Sequence, residues 1–361
     1  MKHLALIMLA CLLLFGVCQA SEKDFLAYFD ENALSDLKVW VEDIAERKIL
    51  IMGEHHGVAE NYDLYLKILE SLPDEQIQLV IEMSPSFAFV CGQFLKTGDE
   101  ALLKNSIAHL EGTFAFAQEH LWFWQGVKRI ADGGKRIDII GVDQEFQLKN
   151  FALALLLIDK DRFSPVLERI DAAGRIGGDA LMETLGATVK EYSALPIEQE
   201  QDQSIHDIIL SLSQLLDNPM GEKGRDVPLY QTFARKVNPD ISALGIFGGQ
   251  HVAKTAQGTS MASLLKEDGR FGNKMAVAQL FYVDTSYMSA QSGEALPLQG
   301  LTQDSIMVQH ALQQKARVAI YRLPPSPLFG GPGVRGLSLP SLYDYALIMK
   351  NAQATTSFDL K

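Results

Sequence analysis

The sequence predicts an α/β protein with a mixed, mainly parallel central sheet, flanking helices and an all-helical insertion. Two observations carry this prediction. Short β-rich runs alternate with helical patterns along most of the chain, which is typical of parallel strands joined by crossover helices. Between about 151 and 237, the strand pattern disappears and only helical periodicity remains. Because no internal repeat or low-complexity linker divides the chain, we expect a single domain over 21–361 that contains this insertion.

Three predicted strands precede the insertion, and helical patterns separate them. Residues 48–52 (KILIM) form an apolar run that ends at Gly53, and residues 78–83 (QLVIEM) and 136–142 (RIDIIGV) form the next two strands. Apolar residues at helical spacing follow the first run, and Pro85 marks a helix start after the second. This order predicts βαβ units, whose strands are parallel.

Four further strand patterns follow the insertion. Residues 241–247, 274–283 and 316–323 are predicted strands, and 343–349 (YDYALIM) is a candidate final strand. The first of these stops at a Gly-Gly pair, and we expect a helix directly after the Gln-His that follows. A Pro/Gly-rich segment at 324–340 predicts a loop between the last two strands.

The N-terminus has the composition of a secretory signal peptide. Lys2 supplies a positive charge, residues 4–17 form an unbroken apolar run, and Ala20 ends a small-residue cleavage pattern. We therefore expect residues 1–20 to be removed, which leaves a periplasmic or secreted protein without stable membrane insertion. Cleavage would leave Cys91 as the one remaining cysteine, so no internal disulfide is expected.

The charge balance argues against nucleic acid as a partner. The chain has 32 Lys and Arg residues against 45 Asp and Glu residues, and its formal net charge is −13. A polyanion offers such a protein no electrostatic attraction. We therefore expect no nucleic acid partner and look for a small-molecule site instead.

Ionisable residues stand where four of the predicted strands end. In parallel sheets the carboxyl ends of the strands meet at one edge, where ligands bind. Residues that are distant in sequence are therefore expected to form one site. These residues are Glu54 and His56 after the first strand, Glu82 at the end of the second, Asp143 after the third and His251 after the fourth.

This set of two imidazoles and three carboxylates suits general acid–base activation of water. No G-x-S-x-G motif is present and Cys91 lies in an apolar context, so no covalent acyl-enzyme is expected. The same groups also suit a divalent metal, but the neighbouring His55 and His56 cannot both face one ion from a helix, and we predict no metal or other cofactor. The structural alternative is that Glu54 and Asp143 only stabilise helix starts.

Five short motifs resemble those of the erythromycin esterase-like proteins, in the family's order and over most of the chain from 48 to 349. Gly-Glu-His-His-Gly-x-x-Glu at 53–60 is similar to the family's first motif, in which a strand ends in Gly-Glu and a histidine precedes a helix. The others are Val-Ile-Glu at 80–82, Ile-Gly-Val-Asp at 140–143, Gly-Arg-Asp at 224–226 and Gly-Gly-Gln-His at 248–251. Histidine at both 55 and 56 departs from the family and leaves the acting base open between them.

The resemblance implies a hydrolase that cleaves a small-molecule ester or lactone with an activated water. His56 is then the general base, and Glu54 and Glu82 orient and tune it. His251 polarises the carbonyl or protonates the leaving alkoxide. Asp143 fixes the tautomer of a histidine, as carboxylates commonly do beside catalytic imidazoles.

Three further residues are expected to bind substrate, namely Arg225, His55 and Glu60. Arg225 precedes a helix start within the insertion, and there the insertion would reach the edge of the sheet. A guanidinium in that place would keep Glu82 ionised. The alternative is that Arg225 pairs with Asp226 or Glu222 on the surface, where such pairs contribute little stability.

The resemblance also leaves two other functions open. The same broad superfamily includes the ChaN-like haem-binding lipoproteins and the Tiki/TraB metal-dependent proteases, which share a Gly-x-x-His element at the first strand. The alternatives to an esterase are therefore a haem- or metal-binding protein of the ChaN type and a Tiki-like metal-dependent protease. In either case the predicted absence of a cofactor would be wrong.

Overall fold

The computed structural model describes residues 22–34, 36–218, 224–254, 260–301, 305–323 and 342–359. The expected signal peptide at 1–20 and the Pro/Gly-rich segment at 324–340 lie outside these ranges. Within the described ranges, no helix combines the length and the hydrophobicity that a membrane span requires.

Ten strands occur in the described residues, and eight of them form one sheet. The sheet has the order β1-β9-β10-β6-β2-β5-β3-β4. The six strands from β10 to β4 are parallel, while β9 and β1 add antiparallel pairs at one edge. The prediction of a mixed, mainly parallel sheet is therefore confirmed. The strands are β1 (Ala33–Leu34), β2 (Ile49–Glu54), β3 (Gln76–Ile81), β4 (Arg136–Gly141), β5 (Ser242–Gly248), β6 (Met275–Val283), β7 (Ser286–Met288), β8 (Ala295–Pro297), β9 (Val318–Arg322) and β10 (Tyr345–Lys350).

Thirteen α-helices occur in the same ranges, and five of them lie between β4 and β5. The helices are α1 (Glu22–Asn32), α2 (Leu37–Ile44), α3 (Ala59–Ser71), α4 (Pro85–Thr97), α5 (Glu100–Ala108), α6 (Gln118–Asp132), α7 (Leu148–Ile158), α8 (Lys160–Ile176), α9 (Gly178–Ser193), α10 (Glu200–Asp217), α11 (Asp226–Lys236), α12 (Met261–Glu267) and α13 (Ile306–Gln313). The helix expected directly after His251 begins later. A short 3-10 turn, Gly249–His251, follows β5. Helix α12 begins at Met261, where the Ser260 side chain accepts a hydrogen bond from the Ser263 N–H.

Strand β2 is buried on both faces, and its side chains alternate between two cores. Leu50 and Met52 belong to the core that α2, α3, α4 and α6 cover. Ile49 and Ile51 belong to the core on the opposite face, which α11, α12 and α13 cover. A continuous apolar run is what a strand covered on both faces requires, and full burial of each such side chain contributes about 1.5–3 kcal/mol.

The helices that follow β4 have a core of their own. Phe151, Phe163, Leu185 and Ile208 pack together between α7, α8, α9 and α10, and Val90 of α4 joins them to the main body. Helix α11 instead packs on the sheet. The helical segment therefore returns to the sheet where α11 begins.

The carboxyl ends of β2, β5, β3 and β4 lie side by side at one edge of the sheet. The register pairs Glu54 with Gly248, and it pairs Ile81 with both Ile246 and Gly141. The ionisable residues at or just after these ends therefore face a common space, as the parallel geometry requires.

Candidate active site

Glu54 and His56 form a hydrogen-bonded pair at the end of β2. His56 Nδ1 donates to Glu54 Oε1 at 2.7 Å. Asn61 Nδ2 donates to Glu54 Oε2 at 2.7 Å, and the Tyr65 hydroxyl donates to the same oxygen. Because an ionised carboxylate only accepts, the proton lies on Nδ1 and leaves Nε2 of neutral His56 as an acceptor. Gly57 makes the intervening turn with φ of 81°, and a Cβ there would lie 2.5 Å from the Met288 carbonyl oxygen.

Glu82 is the centre of the site, and its side chain is 8% exposed. Its Oε2 accepts the Gly248 N–H at 2.6 Å and lies 3.8 Å from His56 Nε2. Its Oε1 accepts from Arg225 at 2.9 Å and lies 3.4 Å from His251 Nε2. Burial alone would raise the pKa of Glu82, but hydrogen bonding to His251 and the charges of His56, His251 and Arg225 outweigh burial and lower it to about 2. Glu82 is therefore ionised at neutral pH.

The pKa of His56 is raised to about 9. Burial alone would lower it, but the hydrogen bond to Glu54 and the negative charges of Glu54 and Glu82 outweigh burial. At pH 7 about one ring in a hundred is then neutral. Gly248 permits the close approach of this ring, since a Cβ there would lie 3.0 Å from His56 Nε2.

His251 lies behind Glu82 rather than at a cavity wall. Its ring is 3% exposed, and Nδ1 donates to Asp226 Oδ1 at 2.9 Å. Burial alone would lower the pKa of His251, but its bonds to Asp226 and Glu82 raise it to about 9. The expected role of His251 was to polarise the substrate carbonyl or to protonate the leaving alkoxide; instead the half-buried Asp226 and the buried Glu82 lie against its two ring nitrogens. Asp226 is a site residue that the sequence does not predict, although it directly follows Arg225.

Arg225 precedes α11 and brings the helical segment to the sheet edge. Its guanidinium donates to Glu82 and to Asp143 Oδ2, and it lies 5.4 Å from the centre of the Phe146 ring. The expected alternative of a surface pair with Asp226 is wrong, because that carboxylate binds His251. Glu222, the other surface partner considered, lies outside the described residues.

Asp143 pairs with Arg225. This corrects the expectation that Asp143 fixes the tautomer of a histidine. Its side chain is 8% exposed, and Oδ1 accepts the N–H of Gln144 at 2.9 Å. Burial raises the pKa of Asp143, and the charge of Arg225 opposes that shift. The carboxylates that hold histidine rings are Glu54 and Asp226.

A cavity of about 450 Å³ opens in front of these groups, which is a size typical of small-molecule sites. His56, Glu82, Asp143 and Arg225 line one side of it. We call it the aromatic cavity, because its other walls include Tyr62, Phe114, Phe123, Trp124 and Phe146.

His120 also lines the aromatic cavity, as a neutral wall residue. Its Nδ1 donates to the Ala115 carbonyl at 2.9 Å, and its Nε2 accepts from the Trp124 indole at 2.9 Å. Burial lowers the pKa of His120 to about 4. With both ring nitrogens engaged, this imidazole is unsuited to proton transfer.

Two of the expected substrate-binding residues lie away from the aromatic cavity. His55 bonds through Nδ1 to the His56 carbonyl at 2.9 Å, and its ring packs 4.4 Å from that of Tyr287. Glu60 accepts from Arg317 at 2.5 Å and from the Gln353 N–H at 2.8 Å. Glu60 points from the first turn of α3 toward the C-terminal segment, so the geometry gives it a structural role and not the expected one.

The buried carboxylates at the strand ends already have a cationic partner, Arg225. Within the described ranges, no group of three or more His, Cys, Asp or Glu side chains is arranged to hold a metal. Glu82 already accepts from Gly248 and Arg225, and a guanidinium 2.9 Å away would repel a second cation.

No family model matches the chain, and no curated protein matches it either. Solved structures do share its fold. A Bacillus cereus protein aligns with a TM-score of 0.63 and 14% identity, over 94% of this chain and 100% of its own. A mutant erythromycin esterase in its open conformation aligns with a TM-score of 0.63 and 14% identity, over 90% and 96%. A succinoglycan biosynthesis protein aligns with a TM-score of 0.65 and 12% identity, over 94% and 100%. The chain therefore has the fold of an erythromycin esterase, as its motifs predicted.

Proposed function

We propose that the chain is an exported hydrolase that cleaves a small-molecule ester or lactone with an activated water. One observation carries the proposal: His56 lines a cavity while Glu54 holds its Nδ1, and Arg225 lines the same cavity. A base, a carboxylate that orients it and a cationic donor are what hydrolysis of a carbonyl ester requires. The fold shared with an erythromycin esterase agrees with this function.

The reaction uses His56 first as base and then as acid. Neutral His56 takes a proton from water at Nε2 while the water oxygen forms a bond to the acyl carbon. The Arg225 guanidinium donates to the oxyanion that develops on the carbonyl oxygen. When the tetrahedral intermediate collapses, the bond from acyl carbon to alcohol oxygen breaks, and the leaving alkoxide takes the proton from His56. The products are a carboxylic acid and an alcohol.

Neither Glu82 nor Cys91 can replace His56 in this scheme. A carboxyl with a pKa of about 2 is too weak a base to deprotonate water. Burial raises the pKa of Cys91 well above its usual value, so the thiol is not an available nucleophile. We propose that Glu82 pairs with Arg225 and stabilises the protonated form of His56. His251 and Asp226 are positioning residues behind it.

Hydrolysis without a cofactor can be tested on the purified protein. We expect turnover of members of a panel of esters and lactones at the same rate with and without EDTA, because the residues of the scheme need no ion. The protein should show no Soret band and no stoichiometric Mn, Co or Zn. A Soret band without ester turnover would favour the haem-binding alternative. Stoichiometric metal, with peptide cleavage that EDTA abolishes, would favour the protease.

A further inference from the structure

Asn61 lies behind the proposed base and its carboxylate partner. It belongs to the first turn of α3, is 1% exposed, and does not line the aromatic cavity. Its Nδ2 donates to Glu54 Oε2 at 2.7 Å and to the His55 carbonyl at 3.0 Å. Its Oδ1 accepts from the Tyr282 hydroxyl at 3.0 Å. Asn61 therefore acts on the reaction through Glu54 and through the turn that carries His56.

The hydrogen bonds around Asn61 run in one direction. The His55 backbone N–H, which can only donate, points at the Tyr282 oxygen at 3.1 Å. Tyr282 then gives its own hydrogen to Asn61 Oδ1. This orients the Asn61 NH2 group toward Glu54 and the His55 carbonyl, because a flipped amide would set its oxygen against both of these acceptors. The chain of hydrogen bonds thus ends at Glu54.

The Glu54 carboxylate accepts three hydrogen bonds. Asn61 and the Tyr65 hydroxyl donate to Oε2, and His56 Nδ1 donates to Oε1. With Oε2 held by two donors, Oε1 is fixed in the place where it accepts from the imidazole. This arrangement keeps the ring proton of neutral His56 on Nδ1 and leaves Nε2 free to accept.

The donors to Glu54 also affect how tightly His56 holds a second proton. Ionised Glu54 and neutral His56 together carry one net negative charge, and protonation of His56 makes the pair neutral. Donors to the carboxylate stabilise the negative form more than the neutral one. They therefore oppose protonation of His56.

Other ionisable groups surround the pair and remain in any variant of Asn61. The negative charge of Glu82 raises the pKa of His56, and the charge of His251 lowers it. Burial and the negative charge of Glu54 raise the pKa values of three tyrosines, whose hydroxyls stay neutral. These are Tyr62, Tyr65 and Tyr282.

We propose that Asn61 is a positioning residue that holds Glu54 in the orientation in which His56 Nε2 accepts a proton from water. This inference deepens the proposed hydrolase function. Both backbone polar groups of His55 take part, since its N–H donates to Tyr282 and its carbonyl accepts from Asn61. The position of the base is therefore set by α3 and β6 as well as by its own strand.

Asn61→Leu removes both donated hydrogen bonds at nearly constant volume. Because the negative form of the pair loses a donor, the pKa of His56 should rise by about one unit. For an ester that the wild type cleaves, kcat should then fall about tenfold at pH 7 and by less at pH 10. KM should be unchanged, because Asn61 does not line the aromatic cavity. Steady-state kinetics across this pH range measure both constants.

NMR titration of the His56 ring gives a readout that needs no substrate. Its midpoint should be about one pH unit higher in Asn61→Leu than in wild type. Asn61→Asp keeps the shape of the side chain but sets a second carboxylate beside Glu54, so its midpoint should rise further. If Asn61→Leu does not fold, the Asn61→Asp variant decides alone.

Asn150→Leu is the matched control for a buried asparagine. Asn150 is also fully buried, both of its side-chain polar atoms bond to Ser106, and it does not line the aromatic cavity. The melting temperature of Asn150→Leu should fall, while the midpoint of His56 and kcat stay at their wild-type values.

The two measurements separate this inference from the hydrolase proposal. If no ester is hydrolysed but both Asn61 variants raise the midpoint of His56, the positioning role stands and the hydrolase proposal fails. A midpoint at or below the wild-type value in both variants would overturn the positioning role, whatever their rates. Raised midpoints with wild-type kcat at pH 7 would also overturn it.

Discussion

His56→Ala is expected to lower kcat/KM for ester hydrolysis about a hundred- to ten-thousand-fold, because it removes the proposed general base. Glu54 cannot take over, since Asn61 and Tyr65 already donate to its second oxygen. The same two donors keep Glu54 hydrogen-bonded in the variant, and the His56 side chain is 35% exposed. The melting temperature should therefore change by only a few degrees. Steady-state kinetics and thermal unfolding of the variant check both parts.

His55→Ala is the matched comparison for that variant. The His55 ring packs on Tyr287 and bonds to a backbone carbonyl, whereas the His56 ring bonds to a carboxylate and faces Glu82. We expect His55→Ala to lose less than about tenfold in kcat/KM. A larger loss in His55→Ala than in His56→Ala would make His55 the base. Wild-type rates in both variants would remove this turn from the mechanism.

Arg225→Ala is expected to lower kcat/KM about a hundred- to a thousand-fold, because it removes the donor to the developing oxyanion. It should also destabilise the fold by on the order of 3 kcal/mol, since Glu82 and Asp143 lose the partner of two buried carboxylates. Arg225→Lys keeps the charge and one nitrogen that can pair with both carboxylates, as Nη2 of Arg225 does, but it loses the other N–H groups of the guanidinium. We expect Arg225→Lys to recover most of the stability and little of the rate.

Arg235→Ala controls for the general effect of losing an ion pair on α11. The two arginines are equally exposed, 32% for Arg235 and 31% for Arg225, and Arg235 also pairs with a buried carboxylate, that of Asp207. Unlike Arg225, Arg235 does not line the aromatic cavity. Arg235→Ala should be destabilised less than Arg225→Ala, because Lys236 still pairs with Asp207, and its kcat/KM should stay near wild type. If Arg225→Lys and Arg225→Ala both keep wild-type kcat/KM, Arg225 has no role in the reaction.

Much of the fold could be predicted because the relevant signals are local. The run at 48–52 is apolar at every position, which fits a strand covered on both faces. Because such strands are parallel, Glu54, Glu82 and Asp143 were expected at one edge, and they are found there. The position of His251 beside Glu82 follows from the same geometry.

The pairing of side chains within the site could not be predicted in this way. Which carboxylate holds which histidine depends on side-chain directions that differ by a few ångströms between neighbouring strand ends, and sequence spacing does not encode them. The expected orientation of His56 by Glu54 is found, whereas the carboxylate that holds the other catalytic-site histidine, His251, is Asp226 and not Asp143.

The pH dependence of kcat/KM for ester hydrolysis tests the role of His56 most directly. The pKa of His56 is raised to about 9, and the reactive form is the neutral ring, so kcat/KM should rise about tenfold per pH unit and level off near pH 9. Glu54→Gln removes the charge and weakens the hydrogen bond that raise this pKa, so its plateau should begin at lower pH. A wild-type profile that is flat from about pH 6 to 8, or that falls toward pH 9, would contradict a general-base role for His56.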